Sequence, residues 1–233
     1  MNVRNIKSRL DYQKVLPIGR RGTSYEMVVR LFKTGVLTGN PTQAKRRGGN
    51  YIYFWPIREN WQANGLTPPV PWGKNYWDSD KWSQSFALSS SHRDYFKGVM
   101  SFSIDEYYQT RCGFEDISKR VKEAMSDRGL NDSDIAHLIR ETEMRRGYML
   151  EFHPDLARDY KMEEDSWFGS NHCVAFQVNC PEGLPLRYIS KISPIGEWDK
   201  RLLLAYLKRE KVCTSQSPRI NSALSQLNIE GFS

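Results

Sequence analysis

A chain of 233 residues, 39% of them hydrophobic, is long enough to bury one large core, or a core that carries an insertion. No run approaches the roughly 20 apolar residues that span a bilayer, and Met1-Asn2-Val3-Arg4-Asn5-Ile6-Lys7 lacks the apolar region of a secretion signal; a cytoplasmic protein without a membrane segment is therefore expected. Lys and Arg number 34 against 27 Asp and Glu, and the net charge of +7 favours polyanionic partners, nucleic acid first.

Residues 1–14 are polar and read as an N-terminal arm. Lys14-Val15-Leu16-Pro17-Ile18 follows as the end of a strand, with a sharp turn expected at Gly22. Thr23 or Ser24 then caps a helix whose Met27, Val28, Leu31 and Phe32 share one face, and Gly35 closes it. A basic side chain, a glycine and a helix N-terminus in this order suit an anionic ligand. Residues 36–50 lack periodicity and read as a loop carrying the basic cluster Lys45-Arg46-Arg47, a candidate for phosphate contacts with nucleic acid. Tyr51-Ile52-Tyr53-Phe54-Trp55 is a dense β-forming run stopped by Pro56. Residues 57–80 read as irregular and are rich in Trp and Tyr; the rings of segment 55–82 are candidates for stacking on unpaired bases.

Asp80 is expected to cap a helix from Lys81 to about Phe96, with Trp82, Phe86, Ala87 and Leu88 inward. A strand over 99–104 is expected next, then a helical pair, 114–128 and 131–146, that has the look of an insertion. Tyr148–Phe152 resumes the sheet, 154–170 reads as an acidic loop, and two further strands follow at 173–178 and 186–192. A helix over Glu197–Glu210 places Trp198, Leu202, Leu203, Tyr206 and Leu207 at core spacing, and 214–233 reads as a polar tail. Strands and helices in no regular βα alternation give the α+β class, with one domain over 15–213. The cysteines, Cys112, Cys173, Cys180 and Cys213, and the scattered histidines show no metal-ligand spacing, so no metal is expected. Neither a phosphate-binding glycine loop nor a nucleophile elbow occurs.

Four segments taken in order resemble the ADP-ribosyltransferases, the superfamily of bacterial toxins and poly(ADP-ribose) polymerases. Arg21-Gly22-Thr23-Ser24, with Gly35 at the end of the following helix, is similar to that family's first strand end. Gly49-Asn50-Tyr51-Ile52-Tyr53-Phe54-Trp55-Pro56 resembles its Tyr-Phe strand, with Trp55 where a small residue is usual. Ser83-Gln84-Ser85-Phe86-Ala87 resembles its Ser-x-Ser-Ala helix start. Asn171-His172-Cys173-Val174-Ala175-Phe176, followed by Arg187-Tyr188-Ile189-Ser190-Lys191-Ile192, is similar to its closing strands. The likeness spans about residues 15–195 and leaves the helical pair at 114–146 outside.

The resemblance implies split antiparallel sheets around a cleft that holds NAD as substrate. It implies that Arg21, Gly22, Thr23 and Ser24 hold the dinucleotide, that Tyr53, or Tyr51 on a shifted register, stacks on nicotinamide beside Phe54, and that Ser85 points into the cleft. The plain alternative is that Tyr53 and Phe54 are core and Ser85 a helix cap. The family glutamate that stabilises the developing oxocarbenium is His172 here, so either His172 acts differently, or Glu163, Glu164 or Glu151 enters the cleft, or transfer has been lost. The activity implied is mono-ADP-ribosylation of nucleic acid, or of protein, as a toxin or conflict-system effector. The rivals are a degenerate fold that binds a nucleotide or RNA, and an NAD-dependent RNA 2′-phosphotransferase.

Overall fold

A computed structural model of the chain describes residues 16–39, 49–70, 72, 79–100, 126, 129–164, 175–213 and 228–229. Its elements in chain order are β1 (Gly19–Thr23), α1 (Tyr25–Thr34), β2 (Val36–Leu37), β3 (Tyr51–Pro56), α2 (Arg58–Ala63), α3 (Ser79–Met100) and α4 (Asp132–Met144). There follow β4 (Tyr148–Phe152), α5 (Asp155–Asp159), β5 (Glu163–Glu164), β6 (Phe176–Asn179), β7 (Leu184–Pro185), β8 (Ile189–Pro194), α6 (Glu197–Cys213) and β9 (Asn228–Ile229). The class is α+β, as expected. One sheet has the order β5-β6-β3-β1-β4-β8-β9, antiparallel except for the β8–β9 pair, while β2 and β7 pair separately.

β1 lies at the centre although its sequence, Gly-Arg-Arg-Gly-Thr, has poor strand propensity. It is held by neighbours on both sides, and its glycines are required by close approach. A Cβ on Gly19 would stand 2.2 Å from the Phe54 ring, and one on Gly22 would stand 1.9 Å from the Ser83 carbonyl oxygen. Gly22 therefore does not turn the chain, as the sequence suggests; it is extended and lets the backbone of α3 lie against the strand.

Strand register sorts the side chains. Gly19, Arg21 and Thr23 pair with Phe152, Leu150 and Tyr148, while Arg20 and Gly22 pair with Glu151 and Met149. On the Leu150 face lies the main core, where Ile18, Ile52, Phe54, Phe152, Phe176 and Ile192 meet Val28, Leu31 and Phe32 of α1 and Leu203, Tyr206 and Leu207 of α6. The opposite face carries α3 and a smaller cluster of Tyr53, Trp55 and Ala175 with Trp82 and Phe86.

α1 matches its sequence pattern. Ser24 Oγ accepts from the Met27 amide at 3.3 Å, and Gly35, at φ 73°, returns its N–H to Leu31. At the start of β4, Asp199 is buried and accepts from the Arg146 amide at 2.9 Å, while its carbonyl accepts the Tyr148 hydroxyl at 2.6 Å, tying α6 to the sheet.

Several expectations need correction. α2 lies within a stretch that reads as irregular, and its Trp61 is buried with its indole N–H on the Ile18 carbonyl at 2.6 Å. Here the tertiary contact overrides a Pro- and Asn-rich sequence. The expected 36–50 loop contains β2, and the acidic 154–170 segment contains α5 and β5. α3 starts at Ser79, so Asp80 lies in its first turn rather than capping it, and the helix runs through Gly98 into residues 99–100, where a strand is expected. The expected tail holds β9, paired with Lys191 and Ile192. The helix over 114–128, apart from Ser126, and the 1–14 arm lie outside the described residues.

His92 of α3 is 2% exposed, with Nε2 3.2 Å from the Arg145 carbonyl. Burial, the largest effect, lowers its pKa from 6.5 to about 4. The unfolded chain therefore takes up a proton before the folded one does, and stability falls as pH drops from about 6.5 toward 4, by about 3 kcal/mol at most. Urea midpoints measured across this window should decline in the native chain and decline less in His92→Gln.

Candidate functional site

β1 and β3 are hydrogen-bonded neighbours at only two positions, Gly19↔Pro56 and Arg20↔Trp55. Beyond Arg20 the strands part. Arg21, Gly22 and Thr23 continue on β4 alone, while Tyr51, Ile52, Tyr53 and Phe54 continue on β6. A wedge opens between the two halves of the sheet, and its two walls carry the residues that the sequence singles out.

Within this wedge the Arg21 Cζ lies 4.6 Å from the centre of the Tyr53 ring. Both residues are 5% exposed. The Tyr53 ring is edge-on to Trp55 at 5.9 Å and to Phe86 of α3 at 5.2 Å. Nε and Nη1 of Arg21 are buried and have no hydrogen-bond partner among the described residues. Burial is the main influence on the guanidinium and lowers its pKa; Tyr53 raises it, Arg93 lowers it further and Asp94 raises it. A cation–π contact contributes about 0.5–2 kcal/mol. Burying an unpaired ion costs several kcal/mol. The contact with Tyr53 and the field of the nearby Asp94 carboxylate offset part of that cost, and Nε and Nη1 remain as donors that a ligand's oxygens could use.

The N-terminus of α1 is close by, but it is occupied by a carboxylate. Ser24 Oγ donates to Asp94 Oδ2 at 2.5 Å, and Arg93 Nε donates to Asp94 Oδ1 at 2.8 Å. The sequence offers no sign of Asp94, which comes from the far end of α3. Gln177 is a second residue the sequence reading passes over. It pairs with Tyr53 on one side and Glu163 on the other, so Glu163, Gln177 and Tyr53 form one row across three strands. Its amide is nearly buried inside the apolar run Ala175-Phe176-Gln177-Val178, and that misplaced polar residue was the available signal.

The remaining candidates divide as follows. Thr23 and Ser24 are buried at the β1–α1 junction, and Tyr51 is half-buried opposite Asn179. Phe54 is fully buried between Phe152 and Phe176, which makes it core rather than a ligand contact. Glu163 lies on the Tyr53 face, one strand beyond Gln177 and so roughly 10 Å from Tyr53 at the usual strand spacing; it is half exposed, with Lys161 Nζ at 3.6 Å. Glu164 pairs with Phe176 and so belongs to the other face, and Glu151 is engaged by Arg20 at 3.0 Å.

Ser85 is exposed and lines a shallow cavity of about 500 Å³ with Asp80, Lys81, Gln84, Leu88, Arg146 and Ile195. Helical phase explains the difference from expectation: Ser83, two residues earlier, is the serine that faces β1, buried and with an unpartnered Oγ. Trp55 and Trp61 are in the core, so neither presents a ring to a base, and Trp72 packs on Trp61 and Phe176. His172 and Lys45-Arg46-Arg47 lie outside the described residues.

No protein family, curated protein or solved structure was found to match the chain. Among the described residues there is no group of three or more His, Cys, Asp or Glu able to hold a metal ion, and no helix is long and apolar enough to cross a membrane. Cys180, the one described free thiol, is buried, and burial raises its pKa to about 11.

If Arg21 is an uncompensated cation, replacing it with an apolar side chain of similar length relieves the fold. Arg21→Met should leave the urea midpoint unchanged or raise it, by about 1 kcal/mol in stability. A loss of 2 kcal/mol or more would show that the guanidinium is paired and structural.

Proposed function

We propose that this chain is an NAD-dependent mono-ADP-ribosyltransferase, with nucleic acid as the favoured acceptor and protein as the second. The observation that carries the reading is the pairing of Arg21 and Tyr53 across the β1–β3 wedge, with buried guanidinium donors left unpartnered. A planar fork of N–H donors suits the oxygens of a pyrophosphate, and each charge-assisted bond contributes more in a buried setting than in water. Tyr53 offers an aromatic surface for a nicotinamide ring on the opposite wall. The substrate's nicotinamide–ribose bond breaks with oxocarbenium character, and the residue that steadies it must be anionic or neutral. Glu163, in the row Glu163–Gln177–Tyr53, is a described carboxylate on the Tyr53 face and a candidate for that role. The preference for a nucleic-acid acceptor rests on the net charge of +7.

A second reading is a fold that binds a nucleotide without transferring it. It is favoured by the engagement of Glu163 with Lys161 and by the histidine at position 172.

Incubating the purified chain with labelled NAD and separate RNA, DNA and protein pools distinguishes these readings. The transferase reading predicts label on a nucleic-acid pool, and Arg21→Ala should weaken NAD binding by about tenfold or more, as expected for loss of charged hydrogen bonds. Bound NAD with no label on any pool leaves the binding module, whereas NAD affinity unchanged in Arg21→Ala contradicts the pocket itself. His172→Glu should raise NAD hydrolysis if that position faces the ribose.

A further inference from the structure

α3 covers the wedge, and its hold on the sheet has an unusual composition. Ser83 and Ala87 lie against Gly22 of β1 and Ser91 against Gly147, and these three and Ser90 are buried. Ser83 Oγ and Ser91 Oγ have no hydrogen-bond partner among the described residues. α1, at half the length, buries Val28, Leu31 and Phe32; along the described side chains of α3 only Ala87 and Tyr95 are buried apolar residues. The side of α3 against β1 therefore contributes less hydrophobic free energy than that of α1, and the apolar hold of α3 comes from Trp82 and Phe86 against Tyr53 and Trp55.

Its attachment is polar at both ends. Asp80 accepts from Arg20 Nη1 at 2.6 Å, and Asp94 accepts from Ser24 Oγ at the α1 N-terminus. Between them Phe86 stands edge-on to the Tyr53 ring. An anion drawn to Arg21 and the α1 cap competes with Asp94, and a planar ring drawn to Tyr53 competes with Phe86. The helix thus presents a carboxylate and an aromatic ring to the groups that would receive the phosphates and base-like ring of a nucleotide.

We propose that α3 is a self-inhibiting latch, its Asp94 seated on the α1 cap beside Arg21 and its Phe86 against Tyr53 until a ring-bearing diphosphate displaces them. This rests on the wedge being the nucleotide cleft. In the closed state Arg21 and Tyr53 are buried, and the apparent affinity for ligand is reduced by the fraction of molecules that are closed. Opening lets the diphosphate pair with Arg21 and relieves the two unpartnered serines by hydration.

Amide hydrogen exchange by mass spectrometry on the full chain tests this, alone and with NAD, ADP-ribose or inorganic pyrophosphate. Segments covering 80–95 should exchange at least tenfold faster than those covering 148–152, and faster still with NAD. Asp94→Asn should bind NAD at least threefold more tightly, and Phe86→Ala should follow it. Exchange of α3 together with β4, at the rate of global unfolding, overturns the latch whether or not NAD binds. Ligand-induced protection of α3 overturns it as well, as does weaker NAD binding by Asp94→Asn or early α3 exchange unresponsive to all three compounds. Early exchange accelerated by ADP-ribose but not by NAD upholds the latch and removes NAD as its ligand, whereas acceleration by pyrophosphate alone overturns the latch.

Discussion

A buried arginine whose Nε and Nη1 find no hydrogen-bond partner among the described residues is the constraint on which the candidate site depends. Arg21 occupies the central strand, one residue past the point where β1 leaves β3, and the strands separate around its side chain. Had β1 and β3 stayed paired through Thr23, the guanidinium would have no wedge to enter. Gly19 fits beneath Phe54 and Gly22 beneath the α3 backbone, so the strand that carries the cation is also the one against which both layers pack most closely. The stability given up at this position is retained by the two halves of the sheet, through the Phe54–Phe152–Phe176 cluster and the polar tie of Asp199 to β4.

Much of this was legible in the sequence because it rests on local chemistry. The Ser24 cap, the left-handed Gly35 and the apolar stripe of α1 follow from rules that operate within one turn, and the alternation of Tyr148–Phe152 follows from the two faces of a strand. Gly-Arg-Arg-Gly was not legible as a strand from its own residues, since its extended conformation is imposed by partners on β3 and on β4, both far along the chain. Gly22 reads as a turn for the same reason: a glycine tolerated for its missing Cβ looks like one needed for its backbone freedom.

The site was legible in part. Arg21 and Tyr53 were singled out from sequence, and they meet. Ser85 was singled out as well, but two residues of helical phase put Ser83 against β1 in its place. Asp94 could not be found from the sequence, because a carboxylate at the end of a helix carries no mark of the α1 cap it will reach. The aromatic content also reads two ways. Trp61, conspicuous in a Pro-rich stretch, packs on Phe176 of β6, and Trp55 packs against Phe86 of α3, instead of standing ready for bases.

The guanidinium of Arg21 is the group proposed to meet the ligand's phosphates. Arginine Nε–H resonances observed by two-dimensional NMR, with the Arg21 signal identified by its loss in Arg21→Lys, report on that group directly. The buried Nε–H should exchange slowly with water in the free protein and move to a new position as NAD is added to saturation. A resonance that keeps its position at saturating NAD, while other signals move, would contradict that assignment.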